Sequence, residues 1–343
     1  MTVLAEILGS RPSERQPAFR QPAPEYVRFE RPPLVEEAGE CSTAAGEVFH
    51  ARIRYFDYGV ASVVLQMRFQ TSWEGLIQLS NRWTVSAELE GRATVLLRER
   101  LKKTAVALRK PFDGWISENY YIIQVDPITN DQNEILPADE LIKNYGAQVA
   151  QVVRGEEFPL SKPERQDVLQ SSMSYYPTDL LVLGWVAAFV YDSSTGAYPT
   201  IELLEYANTQ LLEFRYYDNV LTSVLENVYK QLEDRRGLWA RWRLAREAEK
   251  LNTIRLDFRE LVERTENAIK FLSDMFYARV YRLAAARIGV ADYRVLVTDK
   301  LTTAGELYES MVNEFHQARA FLLELMVVVI LIIEIVFLFR GKG

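Results

Sequence analysis

Alternating apolar and polar positions mark the start of the regular part of the chain. In the stretch VFHARIRYFDYGVASVVLQMRF, residues 48–69, two runs of β-branched and aromatic residues flank Asp57, Tyr58 and Gly59. This pattern is typical of a β-hairpin in which Gly59 supplies the unusual backbone angle of the turn. The sequence therefore predicts an antiparallel pair of strands here.

Four further segments carry helix or strand periodicity. Apolar spacing predicts helices at 72–83 and 139–153, and β-branched runs predict strands at 118–128 and 180–192. A short buried helix is the alternative interpretation of the last run. Because the segments interleave without a βαβ repeat, the pattern favours a mixed α/β domain of the α+β class at residues 46–195.

Residues 1–45 lack a periodic apolar pattern and are rich in proline, namely Pro12, Pro17, Pro22, Pro24, Pro32 and Pro33. Proline removes a backbone donor and restricts the residue before it. We therefore predict an extended or disordered arm at residues 1–45.

The character of the sequence changes after residue 195. Glycine becomes sparse, proline is absent from residue 201 onward, and apolar residues recur at steps of three and four. The clearest seam consists of Val297, Leu301, Ala304, Tyr308, Met311, Phe315, Ala318, Leu322 and Leu325. Such a heptad seam predicts a helical hairpin or coiled coil at residues 196–320.

The seam continues into an apolar segment, residues 321–339, which contains only two polar residues, Glu324 and Glu334. At about 1.5 Å per helical residue the segment reaches roughly 28 Å, close to the roughly 30 Å hydrocarbon core of a membrane. A basic tail, residues 340–343, follows it and is typical of an interfacial anchor. We therefore predict a C-terminal transmembrane helix that acts as a tail anchor, with the bulk of the chain in the cytoplasm.

The two glutamates of the apolar segment, Glu324 and Glu334, require a polar environment. An acid inside a transmembrane helix is costly against lipid and is better placed against another protein surface. Glu334 falls beside the heptad seam and Glu324 flanks the seam at the start of the segment. We predict that both glutamates, together with the seam residues Tyr308, Met311 and Phe315, mark contacts between copies of the chain in a homo-oligomer.

Composition removes several classes of function. One cysteine, Cys41, excludes an internal disulfide and a thiolate metal cluster, and two histidines exclude a histidine-rich metal site. The net charge of −7 argues against a surface that binds nucleic acid throughout. No glycine-rich phosphate loop, HExxH or GxSxG motif is present, so the sequence predicts no catalytic residue, no cofactor and no small-molecule substrate.

Three strand-like runs end in aspartate, at Asp57, Asp126 and Asp192. If they met at one sheet edge, their carboxylates could hold Mg²⁺, which prefers oxygen ligands. Aspartate also initiates turns by bonding to its own backbone, which is the simpler interpretation. An enzyme with an aspartate metal site is therefore kept only as a third alternative.

A local basic patch lies at residues 91–111, where Arg98, Arg100, Lys102 and Lys103 are the candidate binding residues. Clustered cations suit RNA phosphates or anionic lipid headgroups. The alternative is an ordinary solvated helix face.

The order of the segments resembles the family named for proteins required for meiotic nuclear division. The resemblance rests on YFDYGVASV in the predicted hairpin, LLEFRYYDNVL at 211–221 and ELMVVVILIIEIVF near the end, and covers the chain from about Glu47 onward. It implies an inner-membrane protein that self-associates, and mitochondrial members support organellar translation. The N-terminus has glutamates where a mitochondrial transit peptide avoids acids. A bacterial member in the inner membrane is thus expected, with the mitochondrial inner membrane as the alternative.

Together these observations predict a tail-anchored membrane scaffold or tether that self-associates and presents a cytoplasmic α+β domain. The alternative function is a membrane-tethered RNA-binding or ribosome-binding factor that uses the basic patch to support translation.

Overall fold

The structure, a computed structural model, describes residues 33–56, 58–104, 114–129, 134–233, 251–260, 262–263 and 275–340, of which the side chains at 231–233, 308, 310–322, 325 and 334–340 are outside the description. The chain divides into two compact units. Unit 1 is formed by Met1–Tyr216 and Leu261–Arg294, and unit 2 by Tyr217–Glu260 and Val295–Gly343.

The first sheet of unit 1 is an antiparallel meander. Its strands are β1 (Leu34–Ser42), β2 (Val48–Tyr55) and β3 (Ala61–Gln66), in the order β1-β2-β3. The predicted hairpin is confirmed: β2 pairs with β3, and Gly59 adopts a φ of 93° in the connecting turn. The positive angle at this position is the reason that the turn needs glycine.

Strand β1 corrects the prediction for the N-terminal arm. It begins at Leu34, inside the predicted arm at 1–45, and runs beside β2 with an irregularity between Glu37 and Gly39. Three glutamates and this irregularity break the alternation by which a strand is recognised, so the pattern missed it. Residues 1–32 of the predicted arm lie outside the described residues.

Two helices follow the first sheet, α1 (Trp73–Val85) and α2 (Glu88–Thr104). The helix predicted at 72–83 is confirmed, and Ser72 caps it by accepting a 3.2 Å hydrogen bond from the backbone N–H of Gly75. Leu97 of α2 is buried with the first sheet's inward side chains, such as Leu34, Ile53 and Tyr55. Helix α2 therefore covers one face of this sheet.

The second sheet has the order β4-β7-β6-β5 and carries the larger core of unit 1. Its strands are β4 (Tyr121–Val125), β5 (Ser172–Met173), β6 (Leu180–Leu183) and β7 (Ala187–Tyr191), with β4 parallel to β7 and the other neighbours antiparallel. Helices α3 (Ala138–Arg154) and α4 (Lys162–Gln170) lie between β4 and β5 in the chain. The strand predicted at 118–128 and the helix at 139–153 are confirmed. The run predicted as one strand at 180–192 is two strands joined by a tight turn.

Long helices complete the described chain. They are α5 (Ser194–Glu233), α6 (Met275–Ile288) and α7 (Val290–Arg340), and residues 251–260 are also helical. In unit 1, α5 and α6 contact each other where Tyr281 donates a 2.5 Å hydrogen bond to Gln210, and both side chains are buried. In unit 2, the seam residues Val297 and Ala304 are buried, and Lys300 lies 2.5 Å from Asp218.

The prediction of a C-terminal transmembrane helix is wrong. Within the described residues, no helix is both long enough and apolar enough to cross a membrane. This finding overturns the predicted tail anchor, and with it the membrane anchoring in the bacterial or mitochondrial inner membrane. What is shown is a mixed α/β fold.

Candidate functional site

The basic side chains predicted to bind RNA lie on α2, and half of them already have partners within the chain. The guanidinium of Arg98 lies 4.8 Å from the ring centroid of Trp115, a cation–π contact. Arg100 lies 3.4 Å from the carboxylate of Glu36. Lys102 and Lys103 are exposed in the last turn of the helix. RNA or ribosome binding by these four residues stays a prediction.

The structure brings two of the three predicted metal-binding aspartates to one edge of the second sheet. Asp126 follows β4 and Asp192 follows β7, and these strands are parallel neighbours with Val125 opposite Tyr191. The side chain of Gln124 joins the two positions, since its Nε2 donates to Asp126 Oδ1 at 3.0 Å and to the backbone oxygen of Asp192 at 2.8 Å. These contacts join the ends of β4 and β7.

Within the described residues, no third acidic, histidine or cysteine side chain joins Asp126 and Asp192 to form a metal site. Asp57 lies outside the described residues. The part of the chain that is described contains no group of three or more histidine, cysteine, aspartate or glutamate side chains arranged to hold a metal ion. The carboxylate of Asp192 instead accepts a 2.7 Å hydrogen bond from the backbone N–H of Ser193, directly before α5.

The most buried charge cluster among the described residues of unit 1 was not predicted. Arg54 of β2 points away from Ile53 and toward α5, where Glu202 and Glu205 lie three residues apart on one helix face. Arg54 Nη1 lies 2.5 Å from Glu205 Oε2, and Arg54 Nη2 pairs with Glu202 Oε1. The three side chains are only 10%, 14% and 11% exposed, in the order Arg54, Glu202 and Glu205.

The electrostatics of this ion triad, Arg54 with Glu202 and Glu205, follow from its burial. Burial alone would lower the pKa of Arg54, but the two carboxylates more than offset that effect, so the pKa lies above its usual value. Tyr198 donates a 2.7 Å hydrogen bond to Glu202, while Oε1 of Glu205 is buried without a hydrogen-bond partner. The triad fixes the second face of the first sheet against α5.

Next to the triad, the hairpin turn also contacts α5. The hydroxyl groups of Tyr58 and Thr209 lie 2.8 Å apart, and burial raises the pKa of Tyr58 above its usual value. Arg54 lies 148 and 151 residues before its two partners, so no local pattern in the sequence could have indicated this cluster. The charged groups of the triad are engaged with one another, which makes a structural role the direct interpretation.

Among the described residues of unit 2, an apolar segment of α7, Met326–Ile333, is exposed. Each of its eight side chains is between 46% and 57% exposed. Successive residues of an α-helix are about 100° apart, so eight consecutive apolar residues cover every side of the helix. Large exposed apolar surfaces mark interaction sites, since their burial releases about 25 cal/mol per Å².

The predicted oligomer residues are only partly described. Glu324 is exposed next to the apolar segment. The side chains of Tyr308, Met311, Phe315 and Glu334 lie outside the described part of α7. Their role in contacts between copies of the chain stays a prediction.

Comparison with known proteins corrects the family assignment. A curated relative, "Uncharacterized protein MJ0711" from Methanocaldococcus jannaschii, is 19% identical over 204 residues, which cover 60% of this chain and 62% of the relative. The aligned region thus spans about three fifths of the length of this relative. No solved structure matches the chain.

The resemblance to the meiotic nuclear division family is therefore wrong, and so is the inferred bacterial origin, because the relative is an archaeal protein and a family model named for the same protein also matches the chain. The motifs behind that resemblance are short and consist largely of apolar and aromatic residues, so each carries little specificity. The sequence model of the family described as "Uncharacterized protein MJ0711, N-terminal domain" matches residues 2–198, more than half of the 343 residues. The chain belongs to this family.

Proposed function

We propose that the protein is a self-associating scaffold, whose copies meet through the apolar segment of α7 and each present unit 1 for other contacts. The observation that carries the proposal is the exposure of the apolar segment on every side of the helix. A helix that is apolar all round requires enclosure by other apolar surfaces. The same segment of another copy offers a surface of matching chemistry.

The contrast along α7 supports this assignment. At the beginning of the helix, the seam residues Val297 and Ala304 are buried within unit 2. At the apolar segment, side chains of equal or larger size are half exposed. The chain therefore buries these seam residues itself and leaves Met326–Ile333 exposed, which supports the proposed contact.

Single-cysteine cross-linking tests whether the apolar segments of two copies meet. The sequence has one cysteine, Cys41, so Cys41→Ser gives a background without thiols. In that background, Ile330→Cys places a thiol in the apolar segment, and Thr302→Cys places one at an exposed polar position of the same helix. We expect mild oxidation to give covalent dimers with Ile330→Cys and few with Thr302→Cys.

The proposal predicts a difference in the yield of covalent dimer between the two variants. Equal yields would reflect random collision and would contradict the proposed contact. Retention of the wild-type circular dichroism spectrum by both variants confirms that neither substitution disturbs the fold.

A further inference from the structure

A group of exposed apolar side chains lies in unit 1, at the carboxyl end of α3. Three large apolar side chains protrude there: Val85 is 77% exposed, Phe158 is 79% exposed and Trp185 is 61% exposed. They come from the end of α1, from the loop after α3 and from the turn between β6 and β7. Nothing in the self-association of α7 uses these residues.

Contacts with the last turn of α3 bring the three segments together. Asn81 of α1 donates a 2.7 Å hydrogen bond to the backbone oxygen of Gly155, and a Cβ on Gly155 would clash with the side chain of Thr84. On the other side, a Cβ on Gly184 would lie 2.5 Å from Cγ1 of Val153. The end of α1 and the β6–β7 turn therefore both pack against the carboxyl end of α3.

The loop that carries Phe158 is held in place by its backbone. Gly155 takes the left-handed conformation, with φ at 68°, and the N–H of Glu156 donates a 3.0 Å hydrogen bond to the oxygen of Gln151. The buried side chain of Gln151 then donates a 3.0 Å hydrogen bond to the oxygen of Glu157. Phe158 thus projects from a fixed loop.

The turn that carries Trp185 is fixed in a similar way. The N–H of Gly184 donates a 2.9 Å hydrogen bond to the oxygen of Ala187. The hydroxyl of Tyr120 donates a 3.1 Å hydrogen bond to the oxygen of Gly184. An exposed tryptophan on an ordered backbone loses little entropy on binding, which is the property of an interface anchor.

The charges around these apolar residues define what partner would fit. Glu156 and Glu157 are exposed directly before Phe158, and neither forms an ion pair in the described chain. Two cations of the elements that carry the surface are already paired: Arg154 lies 2.5 Å from Glu164, and Arg82 pairs with Glu47. The rim of the surface therefore carries uncompensated negative charge.

We propose that this surface, the α3-end patch formed by Val85, Glu156, Glu157, Phe158 and Trp185, binds a basic polypeptide segment of another protein. An apolar side chain of the partner packs between the aromatic rings, and flanking lysine or arginine side chains pair with Glu156 and Glu157. Charge excludes nucleic acid from this patch, since phosphates would be repelled by the two carboxylates. The α3-end patch gives a self-associating scaffold a site for a second protein.

The test uses the full chain and a defined probe, a fluorescein-labelled peptide in which one leucine is flanked by lysines in a glycine-serine background. A second peptide carries glutamate in place of lysine. We expect fluorescence anisotropy to show binding of the lysine peptide, weakened by salt, and little binding of the glutamate peptide. Trp185→Ala and the double variant Glu156→Lys with Glu157→Lys should each weaken the lysine peptide about tenfold or more.

Two matched control variants distinguish binding of the lysine peptide at the α3-end patch from its nonspecific electrostatic attraction to an acidic protein. Trp115→Ala removes another partly exposed tryptophan, and Asp139→Lys with Glu140→Lys reverses two exposed charges at the opposite end of α3. Both controls should leave the affinity within about twofold of the unmodified chain. Equal affinity for the two peptides, or equal losses in controls and patch variants, would overturn the proposal.

A further outcome assigns the patch to a different occupant. If Trp185→Ala lowered the mass of the native assembly and left peptide binding unchanged, the patch would be a contact between copies of this chain. That result would overturn the proposed basic partner and would leave the role of α7 as a separate question.

Discussion

Arg54 and Glu205 form a buried ion pair across 151 residues of sequence, with Nη1 of the arginine 2.5 Å from Oε2 of the glutamate. Glu202, one turn earlier on α5, shares the same guanidinium. The first sheet is thereby held between α2 on one face and α5 on the other. A single cation pairs with both carboxylates, so the stability of this contact depends on Arg54.

Arg54→Ala is expected to destabilise unit 1 by about 3–5 kcal/mol, because two carboxylates stay buried without a cation. Arg52→Ala is the matched control, since Arg52 lies on the same face of β2 but pairs with Glu37 at 41% and 71% exposure. The control should cost less than about 1 kcal/mol. Urea unfolding followed by circular dichroism measures both values.

A triple variant distinguishes two possible causes of the destabilisation by Arg54→Ala, namely unpaired buried charge and lost side-chain packing. Arg54→Met with Glu202→Leu and Glu205→Leu removes all three charges, and it should be more stable than Arg54→Ala alone. If the triple variant were the least stable, side-chain packing rather than unpaired charge would account for the effect.

Two glycines should respond to alanine with opposite signs. Gly155→Ala is expected to cost about 2–4 kcal/mol, because Gly155 has a φ of 68° and its Cβ position is occupied by Thr84. Gly91→Ala, within α2 and with open space around its Cβ position, should stabilise by about 0.5–1 kcal/mol. Changes of the same sign in the urea midpoints would contradict the local geometry of α2 or of the α3 cap.

Alkaline pH should unfold unit 1 because burial raises the pKa of Tyr120 and of Tyr281 above the usual value for tyrosine. The folded chain holds these phenolic protons more tightly than the unfolded chain. The stabilisation is therefore complete below about pH 10, the pKa of an unfolded tyrosine, and is lost as the pH rises through the higher folded values.

Tyrosinate absorbance and circular dichroism, recorded together during titration, check this expectation. Ionisation of the buried tyrosines should coincide with loss of structure. Tyr120→Phe removes one ionisable group and the hydrogen bond to Gly184. The loss of the hydrogen bond should lower stability at neutral pH by about 1 kcal/mol. The loss of the ionisable group should make stability fall less steeply above about pH 10. Complete ionisation with an unchanged spectrum would contradict the burial of these hydroxyl groups.

Local patterns predicted the elements whose boundaries are set by local chemistry. The β2–β3 hairpin was predicted from Asp57, Tyr58 and Gly59, because a glycine with positive φ between two β-branched runs has few other structures available. Helix α1 was predicted from the apolar spacing at 72–83, and Ser72 caps its first turn. In both cases the signal lies within a few residues of the structure that it determines.

Other elements depend on partners that are distant in sequence. The run at 180–192 was predicted as one strand because the turn residues Trp185 and Val186 are apolar, although Gly184 interrupts the pairing. The Arg54 triad requires β2 and α5 to pack together, which no local periodicity indicates. The apolar pattern at 321–339 predicted a membrane span from its length, its apolar composition and the basic tail that follows, none of which indicates what its side chains contact.

The mass of the native full-length chain in solution tests the scaffold proposal most directly. We expect light scattering to give a multiple of the 39.6 kDa chain mass, and Val329→Lys, which buries a charge in the apolar segment, to reduce it toward a single chain. Thr302→Lys, at an exposed polar position of the same helix, should leave the mass of the assembly unchanged. A mass of 39.6 kDa for the unmodified chain at every concentration, or an assembly that Val329→Lys leaves intact, would contradict self-association through α7.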